Sequence, residues 1–156
     1  MKNSYLLLLV LLIIACSQEE TEPEVVVPEP TTFLEKYDNT VWDNDTSSRI
    51  GFANDTTRFL WTVPLTGSCV YVSDDLTYED DAGVWNLTLE RNIPSELVYV
   101  LSLTREDNTA SYTYVYTEEN DILTLEATLS VNGEEEGEPI VTEYSLLSGA
   151  LTSYCN

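Results

Sequence analysis

Histidine is absent from the 156 residues, Lys and Arg together number six, and there are only three cysteines. Each shortage removes a class of chemistry. Without an imidazole neither a Ser-His-Asp nor a Cys-His arrangement can be assembled, and the cysteines alone do not complete the usual tetrahedral metal set. Six basic residues against 28 acidic ones leave a net charge of −22. Such a balance repels phosphate backbones and anionic lipid headgroups, so nucleic acid is not a partner and no basic patch holds a membrane. Walker, Gly-x-Gly-x-x-Gly, His-Glu-x-x-His and Gly-x-Ser-x-Gly motifs are all missing. No carboxylate pair stands out as a glycosidase centre among so many. The chain therefore reads as a non-enzyme, with no catalytic residues, no cofactor and no resident metal.

What is present begins at the N-terminus. Lys2 precedes residues 6–14, a run without one polar side chain. As a helix, residues 5–15 would reach about 16 Å, roughly half the hydrocarbon thickness of a bilayer, which suits a processing signal and not a spanning helix. The run ends in Ile13-Ile14-Ala15-Cys16. This motif resembles the lipobox of bacterial lipoproteins, which implies a signal peptide over 1–15, cleavage before Cys16, and palmitate-class acyl chains on that cysteine as a membrane anchor. Each buried CH₂ would contribute about 0.8 kcal/mol to anchoring. An ordinary signal peptide cut near Ala15 is the alternative. Ser17-Gln18-Glu19-Glu20-Thr21-Glu22 follows and resembles the acidic lipoprotein export signal of Bacteroidetes, which implies outer-membrane anchoring with the domain facing the cell exterior; a periplasm-facing anchor is the alternative.

Residues 16–30 form a lipidated, Glu- and Pro-rich tether with no period that could bury a face. Near the polyproline rise of roughly 3.1 Å per residue it would hold the domain at most about 45 Å from the lipid. The folded unit, 31–156, is long enough for one domain with a core. With Cys16 acylated, the mature chain retains Cys69 and Cys155, expected to pair in an oxidising compartment, with two free thiols as the alternative.

One helical signal occurs, where Thr32 and Glu35 have capping-box spacing. Nearly everything after it alternates. Trp85, Leu87 and Leu89 share a parity against Asn86, Thr88 and Glu90, and Leu123, Leu125, Ala127, Leu129 and Val131 alternate with polar residues, the period of strands with one wet and one dry face. Further strands are predicted over 40–43, 49–53, 58–63, 69–73, 96–104, 111–117 and 139–147. Turn-forming sets lie between them, including Asn54-Asp55, Asn92-Ile93-Pro94-Ser95, Asp107-Asn108, Glu119-Asn120-Asp121 and Asn132-Gly133. Short connections and no crossover helix predict an all-β antiparallel meander of about eight strands with one short N-terminal helix, closing into a barrel, with a β-sandwich as the alternative.

The stretch Phe33-Leu34-Glu35-Lys36-Tyr37-Asp38-Asn39-Thr40-Val41-Trp42, a helical turn leading into a tryptophan-bearing first strand, resembles the start of small lipocalin-like lipoproteins of Bacteroidetes. A cysteine in the early strands able to pair with one at the extreme C-terminus is similar to the lipocalin pattern too. The resemblance implies a lipocalin-like barrel with room for a ligand, and no particular ligand.

Tyr112, Tyr114 and Tyr116 fall on one face of a strand, where they could line a ligand site or offer sugars a stacking platform, or simply pack across strands. Asp43-Asn44-Asp45, and Asp74-Asp75 with Glu79-Asp80-Asp81, carry the hard oxygens Ca²⁺ prefers but lack EF-hand spacing and read as solvated loops. Asp55-Thr56-Thr57 resembles the Asp-Ser/Thr motif of Bacteroidetes O-glycosylation. The expected function is binding of a small apolar or amphipathic ligand within the barrel; the alternative is an interaction module for a protein or glycan, acting through an exterior patch.

Overall fold

The computed structural model describes residues 28–46, 48–55, 57–66, 68–72, 77–80 and 82–155. The signal peptide expected over 1–15, the expected lipidation site Cys16 and most of the expected tether lie outside the described residues, as do Thr56, Asp74, Asp75 and Asp81. The described chain is all-β apart from two four-residue helices, α1 (Phe33–Lys36) and α2 (Leu151–Tyr154). Its strands are β1 (Thr40–Asp43), β2 (Arg49–Phe52), β3 (Leu60–Thr62), β4 (Val70–Val72), β5 (Thr77–Asp80), β6 (Gly83–Ile93), β7 (Glu96–Arg105), β8 (Asn108–Glu119), β9 (Ile122–Val131), β10 (Glu134–Glu135) and β11 (Ile140–Leu146).

All described pairings are antiparallel, in the order β4-β3-β2-β1-β11-β9-β8-β7-β6-β5, with β10 on β9. The edges, β4 and β5, follow one another in sequence. Phe52 on β2 lies four strands from Tyr116 on β8, about 19 Å in a flat sheet at roughly 4.8 Å per strand, yet their rings are 5.4 Å apart. Phe59, just before β3, similarly meets Tyr99 of β7 at 5.8 Å. The sheet is therefore curled into a half-barrel whose concave face is the core, as an antiparallel meander implies. β5 and β10 are additional to the strands predicted from the sequence.

Two-residue hairpin turns at Asn120-Asp121 and Asn132-Gly133 carry positive φ at both positions (56° and 63°; 53° and 86°). That geometry matches strand twist and favours Asn, Asp and Gly. Strand β6 runs past the predicted stop at Glu90, because a bulge between Leu89 and Arg91 absorbs one residue and the ladder then continues to Ile93. The bulge also reverses the parity, bringing Asn92 to the position where its Oδ1 accepts the Leu34 N–H at 3.1 Å.

Helix α1 closes one end of the half-barrel. Thr32 Oγ1 accepts the Glu35 N–H at 3.1 Å, and Glu35 reaches back to the Thr31 N–H at 2.7 Å, one residue before the position that a standard capping box would satisfy. Phe33 and Leu34 are fully buried, each contributing about 1.5–3 kcal/mol by burial, and Phe33 meets Phe52 edge-on at 5.4 Å. The Trp42 indole N–H, also in the core, donates to Thr40 Oγ1 at 3.0 Å. Strands β6–β9 extend beyond the short strands β1–β4 toward the opposite end, where the concave face opens.

Helix α2 packs on the convex side against Val41 and Val63. Gly51 gives it room: a Cβ there would stand 2.5 Å from Leu151 Cδ1 and 3.2 Å from the Thr40 carbonyl oxygen, so the Leu151 side chain would have to shift. The Cys69–Cys155 disulfide pins its end, with Cα atoms 5.4 Å apart, in the pairing expected for the two cysteines.

Candidate functional site

The three tyrosines of β8 do share one face, and the curl grades them. Tyr116 is 2 % exposed, Tyr114 is half-buried and Tyr112 is 38 % exposed. They run from the filled end of the concave face to its open end. Their β7 partners across the ladder are Leu97 for Tyr116, Tyr99 for Tyr114 and Leu101 for Tyr112. On the other side, β9 places Leu125, Ala127 and Leu129 opposite the same three residues.

The rings form a continuous array. Tyr99 stacks on Tyr114 with centroids 4.7 Å apart and an 18° tilt, and on Tyr116 at 6.1 Å and 24°. Tyr112 lies 6.1 Å from Tyr114. Tyr114 thus has the small Ala127 as its β9 partner, whereas its neighbours Tyr116 and Tyr112 face Leu125 and Leu129. Tyr99 is absent from the sequence-level candidate set, although the alternation of Leu97, Tyr99, Leu101 and Leu103 against Val98, Val100, Ser102 and Thr104 carries its facing.

Burial pushes the phenols of Tyr114, Tyr116 and Tyr99 above the ordinary tyrosine range, most strongly for the last two. All three hydroxyls are therefore neutral at physiological pH and able to donate and to accept. Inward-facing positions within 85–89, 97–103, 110–116 and 123–131 bear no charged side chain. The surface at the open end is thus an uncharged sheet of aromatic and aliphatic groups with phenolic hydroxyls along one strand.

The first inward charge belongs to Glu118 at the closed end. Its Oε2 accepts from the Tyr37 hydroxyl at 2.5 Å and the Lys36 ammonium at 3.2 Å, and its Oε1 accepts from the Asp121 N–H at 2.8 Å. The Tyr37 hydrogen bond, first among these, holds its carboxyl below the usual range. This cluster fastens α1 to β8 and stands away from the open end.

The acidic loop 43–45 is turned inward on itself. Asp43 pairs with Arg49 at 2.7 Å through Oδ2 and accepts the Asp45 N–H at 3.0 Å through Oδ1. Among the described residues no group of three or more potential ligands is gathered where it could hold a metal ion.

Compared with family models, with curated proteins and with solved structures, the chain finds no match in any of the three.

Proposed function

We propose that this is a non-catalytic, lipid-anchored protein of the outer membrane, acylated at Cys16 and facing the cell exterior, whose half-barrel binds one small apolar or amphipathic molecule on its concave face. The tyrosine gradient carries the ligand reading. A molecule laid on the open end would cover Tyr112, Leu101 and Leu129 with its apolar part and meet the Tyr114 hydroxyl with a polar group. The uncharged face favours a neutral ligand, since an ionised headgroup placed there would be desolvated without a partner. A curved strand face of this kind, apolar with a few convergent hydroxyls, has the chemistry of a small-molecule site.

The anchor reading rests on Lys2, the apolar run 6–14, the lipobox-like Ile13-Ile14-Ala15-Cys16 and the acidic residues after it. Gentle purification of the full-length protein followed by native mass spectrometry tests the ligand directly. A co-purifying neutral lipid or other amphipathic molecule, lost in Tyr114→Ala while the fold is retained, is the expected result. A ligand retained undiminished by Tyr114→Ala, or no bound mass even after incubation with membrane lipid extract, would overturn the concave-face assignment.

A further inference from the structure

A second feature lies on the convex side, sharing no residue with the tyrosine face. Helix α2 and the strands beneath it bound an open groove of about 490 Å³, lined by Trp61, Asp38, Asn39, Thr152, Leu151 and Cys155 among others. Its volume falls within the roughly 300–1,000 Å³ typical of small-molecule sites.

Trp61 is fixed before any ligand arrives. Its Nε1 donates to the Arg58 carbonyl at 3.0 Å, and its ring lies 5.2 Å from Tyr71, its cross-strand partner. The Arg58 guanidinium in turn lies over the Tyr71 ring, 4.8 Å from its centroid. The opposite wall is also held. Asn39 Oδ1 accepts the Thr152 N–H at 3.0 Å, and Asp38 Oδ1 accepts the Asn54 N–H at 2.7 Å. These bonds use one side-chain atom of Asn39 and one of Asp38 and leave Asn39 Nδ2, Asp38 Oδ2 and the Thr152 hydroxyl for a ligand in the groove that they line together with Trp61.

We propose that this groove is a saccharide site taking a neutral hexose or N-acetylhexosamine unit. A pyranose presents C–H groups on one face, which pack on an aromatic wall, and hydroxyls around its rim that both donate and accept. The groove supplies the indole, a carboxylate acceptor, an amide donor and a hydroxyl, each anchored through its other atoms. An alkyl chain in the same place would desolvate three polar side chains with no return. Asp38, the one charged residue among the described lining, and the net charge of −22 disfavour uronic, sulfated or phosphorylated sugars. The disulfide holds the α2 wall at its spacing from the sheet, so the site is preorganised, which lowers the ordering cost of binding.

The experiment uses the oxidised full-length chain and follows the Trp61 indole N–H resonance. The probes are the tetrasaccharides of N-acetylglucosamine, cellulose, starch and mannan at millimolar concentration, with tetragalacturonate and a Lys-rich peptide as charged competitors. At least one neutral tetrasaccharide is expected to shift that resonance. Asp38→Asn, read at that resonance, and Trp61→Ala, read by isothermal titration calorimetry with the same tetrasaccharide, should each weaken the binding about tenfold or more, and Tyr114→Ala should leave it unchanged. Thr152→Val, at an exposed position, repeats the test should Trp61→Ala fail to fold. The proposal is overturned if no neutral tetrasaccharide shifts the resonance, if tetragalacturonate or the peptide binds there more tightly, or if the groove substitutions leave the affinity unchanged. Loss of binding in Tyr114→Ala alone would move the saccharide to the concave face and likewise overturn it.

Discussion

Asn39 caps a helix that begins more than a hundred residues later: its Oδ1 accepts the Thr152 N–H at 3.0 Å, and its carbonyl accepts the Leu151 N–H at 2.9 Å. Ala150, the residue at the cap position of α2, provides no side-chain bond of its own. Asn39 does this from a left-handed backbone with φ of 59°, which asparagine tolerates better than most residues. Asn39→Gly keeps that backbone and should lose only the cap, about 1 kcal/mol. Asn39→Ala adds the left-handed penalty of roughly 1–2 kcal/mol. Urea unfolding of the two variants should rank them in that order.

The Cys69–Cys155 bridge joins residues 86 positions apart. Closing a loop of that length should contribute about 4–5 kcal/mol on the chain-entropy model. Cys69→Ser and Cys155→Ser should therefore lower stability by similar amounts, and the double variant by no more than either. Chemical denaturation with and without reductant measures both points, since reductant should destabilise the parent and leave the variants unchanged.

The tyrosines of β8 should separate packing from binding. Tyr116→Ala, in the closed core, should cost about 3–5 kcal/mol of stability, as large aromatic truncations do. Tyr112→Ala, at the open end, should cost under about 1 kcal/mol and act mainly on ligand affinity. Thermal unfolding and ligand titration of the same two proteins provide the comparison.

Glu118 makes the stability depend on pH in a defined direction. Its folded pKa is lowered by the Tyr37 hydroxyl first of all, so its contribution is full above the unfolded value of about 4.3 and is lost as pH falls through the lowered folded value. Tyr37 is raised, chiefly by burial and then by Glu118, so its contribution is present below the unfolded value of about 10 and is lost as pH rises through the raised one. Glu118→Gln should flatten the acid limb of the stability profile and cost roughly 1–2 kcal/mol at neutral pH. Denaturation midpoints measured across both limbs check this.

Anchoring has its own readout. On the proposed lipid-anchor reading, Cys16→Ala should release the protein from the membrane fraction into the soluble one and abolish incorporation of labelled palmitate. Protease added to intact cells should digest the domain on the proposed outward-facing reading, and protection would count for a periplasm-facing anchor instead.

Strand alternation was legible wherever one face meets the core, and β1 was read at its observed bounds, Thr40–Asp43. β5 was not, because Thr-Tyr-Glu-Asp has no apolar period and owes its conformation to pairing with Val84, Trp85 and Asn86 of β6. Helix α2, at four residues, is too short to show a period; it depends on the distant Asn39 cap, the absent side chain at Gly51 and the disulfide. The parity change after Leu89 was hidden for the same reason, since a bulge is a property of the ladder and not of one strand. Within the candidate site, the shared facing of Tyr112, Tyr114 and Tyr116 followed from spacing alone. Their graded exposure did not, because it is set by how far β6–β9 outrun the opposite wall. Trp61 and Tyr71 sat in predicted strands whose two faces are both partly apolar, so spacing left their outward direction open.

The strand order divides the folding problem in two. Strands β6–β9 are joined by turns only two residues long, so each ladder closes between neighbours in the chain and can form early. β1 instead meets β11 across some hundred residues, with Trp42 opposite Leu146, and it brings β2, β3 and the seat of α2 with it. The tall meander would then serve as a template on which the N-terminal arm docks late. A bridge formed between Cys69 and Cys155 before that docking shortens the search, so oxidation of the pair would act on the rate of folding as well as on its end point.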